Sequence, residues 1–124
     1  MKKTNKTTEY PISALREALR LQAVALCQKL SRSVARLTSC DMLPCEEYGE
    51  EVQTEYAQAQ ALFCLQHCRT ALEKTIATGR AKLCYRWGNG TVSTFRFQRI
   101  GPGRVRISGP LPHLLAGGIT PPEA

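Results

Sequence analysis

The chain is poor in the residues that catalysis and membrane insertion require. It has only two histidines, His67 and His113, and no glycine-rich phosphate loop. No apolar run approaches the ~20 residues that span a bilayer. Polar residues follow Lys2, Lys3 and Lys6, where a signal peptide would place its hydrophobic segment. These absences predict a cytoplasmic protein that is not an enzyme, needs no cofactor and has no membrane partner.

Acidic residues are absent from a long C-terminal stretch, since none lies between Glu73 and Glu123. The 124-residue chain has a net charge of +7, which is unevenly distributed. Residues 1–40 carry +6, residues 41–56 carry −6, and residues 74–124 carry +7. A positive field over one face raises the local concentration of anionic partners. The charge pattern therefore predicts an anionic macromolecular partner.

Residues 82–108 alternate between apolar and basic side chains with the period of two that is typical of a β-strand. A three-residue loop, Gly88–Gly90, keeps both faces uniform by pairing Tyr85 with Ser93. A five-residue loop, Arg99–Gly103, contains a type II turn at Pro102 and pairs Phe97 with Val105 and Arg96 with Arg106. The predicted inner face holds Leu83, Tyr85, Trp87, Phe95, Phe97, Val105 and Ile107, and the outer face holds Lys82, Arg86, Arg96, Arg104 and Arg106.

Two long helices precede these strands. Apolar residues recur every three or four positions from Leu15 to Leu37, which predicts a helix over about residues 11–38 with Pro11 in its first turn. A second helix is predicted over about 46–78, with Tyr56, Phe63 and Leu65 on its apolar side. The short link between the helices favours an antiparallel helical hairpin.

The predicted fold class is α+β, in the order ααβββ. The helical hairpin packs on one face of a three-stranded antiparallel meander with strands at about 81–87, 91–98 and 104–108. Residues 11–108 form the single domain, between a flexible N-terminus (1–10) and a Pro/Gly-rich tail (109–124). Three leucines, Leu111, Leu114 and Leu115, could dock this tail on the domain or on a partner.

Six cysteines raise the questions of metal binding and disulfides, and most of them are predicted to be small buried apolar residues. They are Cys27, Cys40, Cys45, Cys64, Cys68 and Cys84. A zinc site of Cys40, Cys45, Cys64 and Cys68 is disfavoured, because a continuous helix places Cys64 ~28 Å beyond Cys45. A Cys40–Cys45 disulfide is an alternative that requires an oxidising compartment.

Two binding hypotheses follow. In the first, the protein contacts nucleic acid or a nucleoprotein complex mainly through phosphates. In the second, it is a phage- or plasmid-type inhibitor or adaptor that binds a protein, as anti-CRISPR proteins of this size do. The partner protein would dock on the basic sheet face of this chain or on an acidic surface made of Glu46, Glu47, Glu50 and Glu51. A homodimer formed through the helices is compatible with either hypothesis. The cations assigned to the anionic partner are Lys82, Arg86, Arg96, Arg99, Arg104 and Arg106, with Arg32 and Arg36 of the first helix.

Overall fold

The computed structural model describes residues 7–38, 45–88 and 90–118, with the side chains of 32–38 and 45–55 outside that description. The predicted α+β class is confirmed, with helices on one face of an antiparallel sheet. Among these residues, no helix combines the length and apolarity needed to cross a bilayer. The elements are β1 (Thr7–Pro11), α1 (Ile12–Thr38), α2 (Cys45–Thr78), β2 (Arg80–Arg86), β3 (Val92–Gly101), β4 (Arg104–Ser108) and α3 (Leu111–Leu115).

The sheet has four strands in the order β1-β4-β3-β2, so the predicted three-stranded meander gains a strand from the N-terminus. β1 pairs antiparallel with β4 and places Glu9 opposite Arg106. Part of the segment predicted as flexible is therefore a sheet edge. Pro11 ends β1 instead of opening the helix, and the Ile12 N–H at the start of α1 donates to the Gly103 carbonyl at 2.8 Å.

The two hairpins differ in how well the sequence predicts their register. The first is confirmed, since Tyr85 faces Ser93. The second is wrong by two residues, because Phe97 faces Ile107 and Arg96 faces Ser108. A bulge between Arg99 and Gly101 absorbs the extra residue and leaves a tight turn with Gly103 at φ +75°. A shift of two residues leaves every side chain on its predicted face.

Small residues on α2 let the sheet pack closely against that helix. Aromatic side chains of the inner face, such as Trp87, Phe95 and Phe97, are almost fully buried. Tyr56 and Phe63 were predicted to face inward but are 60% and 56% exposed. The buried positions of α2 include residues with short side chains, such as Ala61, Cys64 and Cys68, beside which the sheet can approach closely. The buried residues of these two helices are Leu15, Leu19, Ala23 and Leu26 on α1 and Gln58, Ala61, Cys64, Leu65, Cys68, Ala71, Leu72 and Thr75 on α2.

The beginning of the predicted tail packs on the domain through α3. Leu111 and Leu114 are buried, and α3 contacts α1. Gly109 precedes it at φ +122°, where a Cβ atom would lie 2.5 Å from the Thr94 carbonyl oxygen. A glycine at this position therefore allows the chain to turn closely over β3.

Two phenylalanines provide a matched test of this core. We expect Phe97→Ala to lower the free energy of unfolding by about 3–5 kcal/mol, because it opens a cavity between sheet and helices. Phe63→Ala removes an exposed ring and is expected to cost less than about 1 kcal/mol. Urea unfolding followed by circular dichroism measures both values. Equal losses would contradict the packing described here.

Candidate functional site

The outer face of β2 and β3 gathers four cationic side chains. Arg80, Lys82 and Arg86 alternate along β2, and Arg96 lies on β3. All four are exposed, and within the described residues none of them forms a salt bridge. We name this group the β2–β3 cation cluster. Arg80 was missed in the sequence because the strand was predicted to begin one residue later, although Arg80 is in phase with Lys82.

Lys82 and Arg96 lie directly opposite each other at the centre of the cluster. The Trp87 N–H donates to the Thr91 carbonyl at 2.8 Å, which makes Trp87 and Thr91 a hydrogen-bonded pair. Because such pairs alternate along an antiparallel ladder, Lys82 and Arg96 form a non-hydrogen-bonded pair with Cα atoms about 4.5 Å apart. Like charges at this spacing destabilise a sheet. An anion that binds between them would relieve this repulsion.

A concave surface accompanies this like-charge pair. A depression of about 480 Å³ is lined by Arg80, Lys82, Arg96 and Gln98 of the outer face, together with Ala81 and Phe97 of the same two strands. Gln98 lies opposite Arg80 and can donate hydrogen bonds through its amide. The depression therefore combines three cations with a neutral donor, and the described outer-face residues of β2 and β3 include no carboxylate.

The other half of the outer face is partly neutralised, which corrects the expectation of a face without acids. Glu9 of β1 lies 3.1 Å from the Arg106 guanidinium and 3.9 Å from that of Arg104. The carboxylate was overlooked because no local sequence pattern indicated that β1 joins the sheet. The face is thus asymmetric, with its least compensated positive charge on β2 and β3.

Arg99, which was placed among the partner-binding residues, lies on the opposite face. It pairs with the buried Val105, and its Nη1 donates to the Ile76 carbonyl of α2 at 2.6 Å. That carbonyl is in the last turn of α2, where carbonyl groups lack partners within the helix. A cation is also favourable at the negative end of the helix dipole. Arg99 therefore joins the sheet to α2 and does not extend the cation cluster.

Two arginines of α1 are paired with carboxylates. Arg16 donates two hydrogen bonds to Glu73 of α2, at 2.8 and 2.9 Å, which lower the pKa of the Glu73 carboxyl. Arg20 bonds Glu17 at 2.6 Å and lowers the pKa of that carboxyl. These pairs reduce the positive field on the described part of the hairpin. The other helical candidates lie on α1 or in the first turns of α2, with side chains outside the described residues: Arg32, Arg36, Glu46, Glu47, Glu50 and Glu51.

The described residues do not assemble the four-cysteine zinc site. Cys64 and Cys68 are buried in the core, and their mutual hydrogen bond, with burial, raises the pKa of the Cys68 thiol. α2 is continuous from Cys45, which places Cys64 ~28 Å further along its axis. Cys40 lies outside the described residues, and within them no group of metal-ligating side chains comes together. Cys64 and Cys68 are buried, as predicted for most of the thiols, whereas Cys27 and Cys84 are exposed.

No family model, curated protein or solved structure matches this chain. The class is therefore defined by the fold and the site alone. It is a small α+β protein with an antiparallel four-stranded sheet, which is covered by helices on one face and carries an asymmetric cationic surface on the other.

Two arginines of β3 should respond oppositely to the same substitution. Arg96→Gln relieves repulsion with Lys82, and we expect it to raise the free energy of unfolding by about 0.3 kcal/mol at low salt. Arg99→Gln removes the bond to the Ile76 carbonyl and is expected to lower that free energy by about 1 kcal/mol. Chemical denaturation at low and high salt measures both effects. A loss of stability in Arg96→Gln at low salt would contradict the assignment.

Proposed function

We propose that this chain is a non-catalytic binding protein that contacts the phosphate backbone of nucleic acid, alone or in a nucleoprotein complex, through the β2–β3 cation cluster. The proposal rests on the pair Lys82–Arg96, flanked by Arg80, which has no carboxylate partner among the residues that the structure describes. Two like charges held face to face reduce stability. A phosphate group between them would replace repulsion with charge-assisted hydrogen bonds.

The position of the aromatic residues favours contact with the backbone over base stacking. Proteins that bind single strands commonly stack bases on exposed aromatic rings. Here Trp87, Phe95 and Phe97 are buried against the helices, and the described outer-face residues of β2 and β3 are not aromatic. Arginine and lysine side chains that contact phosphates position a protein without reading base identity. We therefore propose binding that depends on charge and shape and has little sequence preference.

Charge reversal at the central pair tests the proposal. We expect Lys82→Glu with Arg96→Glu to weaken binding of a fluorescent duplex of about 20 base pairs at least tenfold at ~50 mM salt. The slope of log K against log salt should shrink by about 2, because two phosphate contacts are lost. Fluorescence anisotropy, repeated with duplex RNA and single strands, gives the affinities.

A variant with the same change in charge elsewhere is the control. Lys29→Glu with Arg69→Glu alters exposed side chains on α1 and α2, away from the outer sheet face. This control should keep its affinity within about twofold if the contact is local. Equal weakening by both double variants would show that net charge alone determines binding. Unmeasurable binding by the unmodified protein at ~50 mM salt would end the proposal.

A further inference from the structure

The strand β2 forms an open edge of the sheet. It is the last strand in the order β1-β4-β3-β2, and no strand within the described residues pairs with its outer side. Its seven residues pair with β3 without a bulge and include no proline. The opposite edge, β1, has five residues and ends in Pro11. Proteins block exposed edges with short strands, prolines, bulges or charged side chains, and of these features β2 has only the charged side chains Arg80, Lys82 and Arg86.

The hydrogen-bonding pattern shows which backbone groups lie along this edge. Trp87 pairs with Thr91, and the Arg99 N–H donates to the Gly79 carbonyl, each at 2.8 Å. Residues of β2 in phase with Gly79 and Trp87 therefore bond to β3, and the alternate residues direct their N–H and C=O groups outward. The outward residues are Arg80, Lys82, Cys84 and Arg86.

One of these outward backbone groups, the Arg80 carbonyl, already has a partner within the chain, which agrees with its outward direction. The Thr78 hydroxyl shares its proton between the Lys74 carbonyl at 2.8 Å and the Arg80 carbonyl at 3.1 Å. The available stretch therefore runs from Lys82 to Arg86. An added strand there would form main-chain hydrogen bonds with three cationic or neutral positions, Lys82, Cys84 and Arg86.

Side chains on both sides of the edge specify what such a strand would contain. On the outer face, Arg80, Lys82 and Arg86 would lie beside alternate side chains of the added strand. On the inner side, Leu83 and Tyr85 are only half-buried. The α2 helix adds an exposed ring, Phe63, to that side.

Contacts on either side of Phe63 place it beside β2. The Gln60 side chain accepts a hydrogen bond from the Gly88 N–H at 3.0 Å, and the His67 ring lies 6.0 Å from that of Tyr85. Residues three and four apart share one side of a helix. Phe63 lies between Gln60 and His67 on α2 and therefore flanks the open edge.

We propose that β2 is an acceptor for an added β-strand from a partner protein, in which acidic side chains alternate with apolar ones. The acidic residues would pair with the cations of the outer face, and the apolar residues would pack beside Leu83, Tyr85 and Phe63. A second copy of the chain fits poorly, because antiparallel self-pairing over the available stretch, centred on Cys84, would place Lys82 opposite Arg86. The cations thus disfavour self-association and select an acidic strand. This surface goes beyond the phosphate-binding function, because it uses the backbone of the edge.

A designed peptide tests the edge directly. The probe is an acetylated and amidated peptide as long as β2, seven residues, in which Glu and Val alternate. We expect saturable binding with a Kd below ~1 mM by NMR titration. Amide exchange should slow at Lys82, Cys84 and Arg86, since their N–H groups become hydrogen-bonded. A matched Lys and Val peptide should bind at least tenfold more weakly.

Cys84→Pro blocks the edge without changing its charge. The Cys84 N–H points outward, so proline there leaves the bonds between β2 and β3 intact. We expect this variant to bind the Glu and Val peptide about tenfold more weakly than the control Cys84→Ala, and to bind duplex DNA unchanged. If Cys84→Pro fails to fold, Lys82→Glu with Arg86→Glu replaces it and should reverse the preference between the two peptides.

Three results would overturn the proposal. One is the absence of peptide binding at ~1 mM. Another is an equal Kd for Cys84→Pro and Cys84→Ala. The third is slowed exchange at Lys82 and Cys84 with rising protein concentration in the absence of peptide, because this would identify a second copy as the occupant. Because Cys84→Pro keeps every cation, peptide binding tests the edge proposal and duplex DNA binding tests phosphate contact in the same variant. The failure of one proposal can therefore be told from the failure of the other.

Discussion

Burial of the aromatic face of the sheet is the constraint on which the rest of the structure depends. Trp87, Phe95 and Phe97 lose almost all solvent contact against the helices, and the Trp87 indole N–H donates to the Ser93 hydroxyl at 2.9 Å. Large buried rings supply much of the hydrophobic free energy available to a domain of this size. Because side chains alternate along a strand, burying these rings fixes every intervening residue on the opposite face. The cationic surface is therefore held in place by the core.

Repulsion between the cations of that surface destabilises the sheet, and among the described residues a carboxylate offsets it in one half only. Glu9 compensates Arg104 and Arg106, so the half formed by β4 and β1 resembles an ordinary solvated sheet face. Lys82 and Arg96 face each other without such a partner among the described residues. Cations that served only to keep the protein soluble would not need to lie directly opposite each other on paired strands. The positive charge without a carboxylate partner among the described residues therefore lies on β2 and β3, beside the depression and the open strand edge.

The features of the sheet that depend on local alternation could be predicted from the sequence. The features that depend on pairing between distant segments could not. The alternation from Leu83 to Ile107 was enough to predict which side chains share a face of the sheet. The Gly88–Gly90 turn was enough to predict the register of β2 with β3. β1 was missed because Thr7–Pro11 is short, polar and more than ninety residues from its partner β4. The role of Arg99 depends on its contact with the Ile76 carbonyl. No local pattern reports such a contact.

Side-chain size explains the remaining differences on α2. Hydrophobicity alone placed Tyr56 and Phe63 in the core, yet the close approach of the sheet selects Ala61, Cys64 and Cys68. Short apolar residues are a weak signal in a sequence, because alanine and cysteine also occur on exposed surfaces, as Cys27 does. The gap between helix and sheet is a property of the assembled fold.

We propose that the cations of β2 and β3, which have no carboxylate partner among the described residues, bind the anionic partner. Mapping a short DNA duplex onto the protein by NMR would test this site. We expect the largest salt-sensitive shifts at Arg80, Lys82 and Arg96, with smaller shifts at Arg104 and Arg106, which share Glu9. Shifts concentrated on α1 and α2, or spread evenly over all exposed cations, would contradict it.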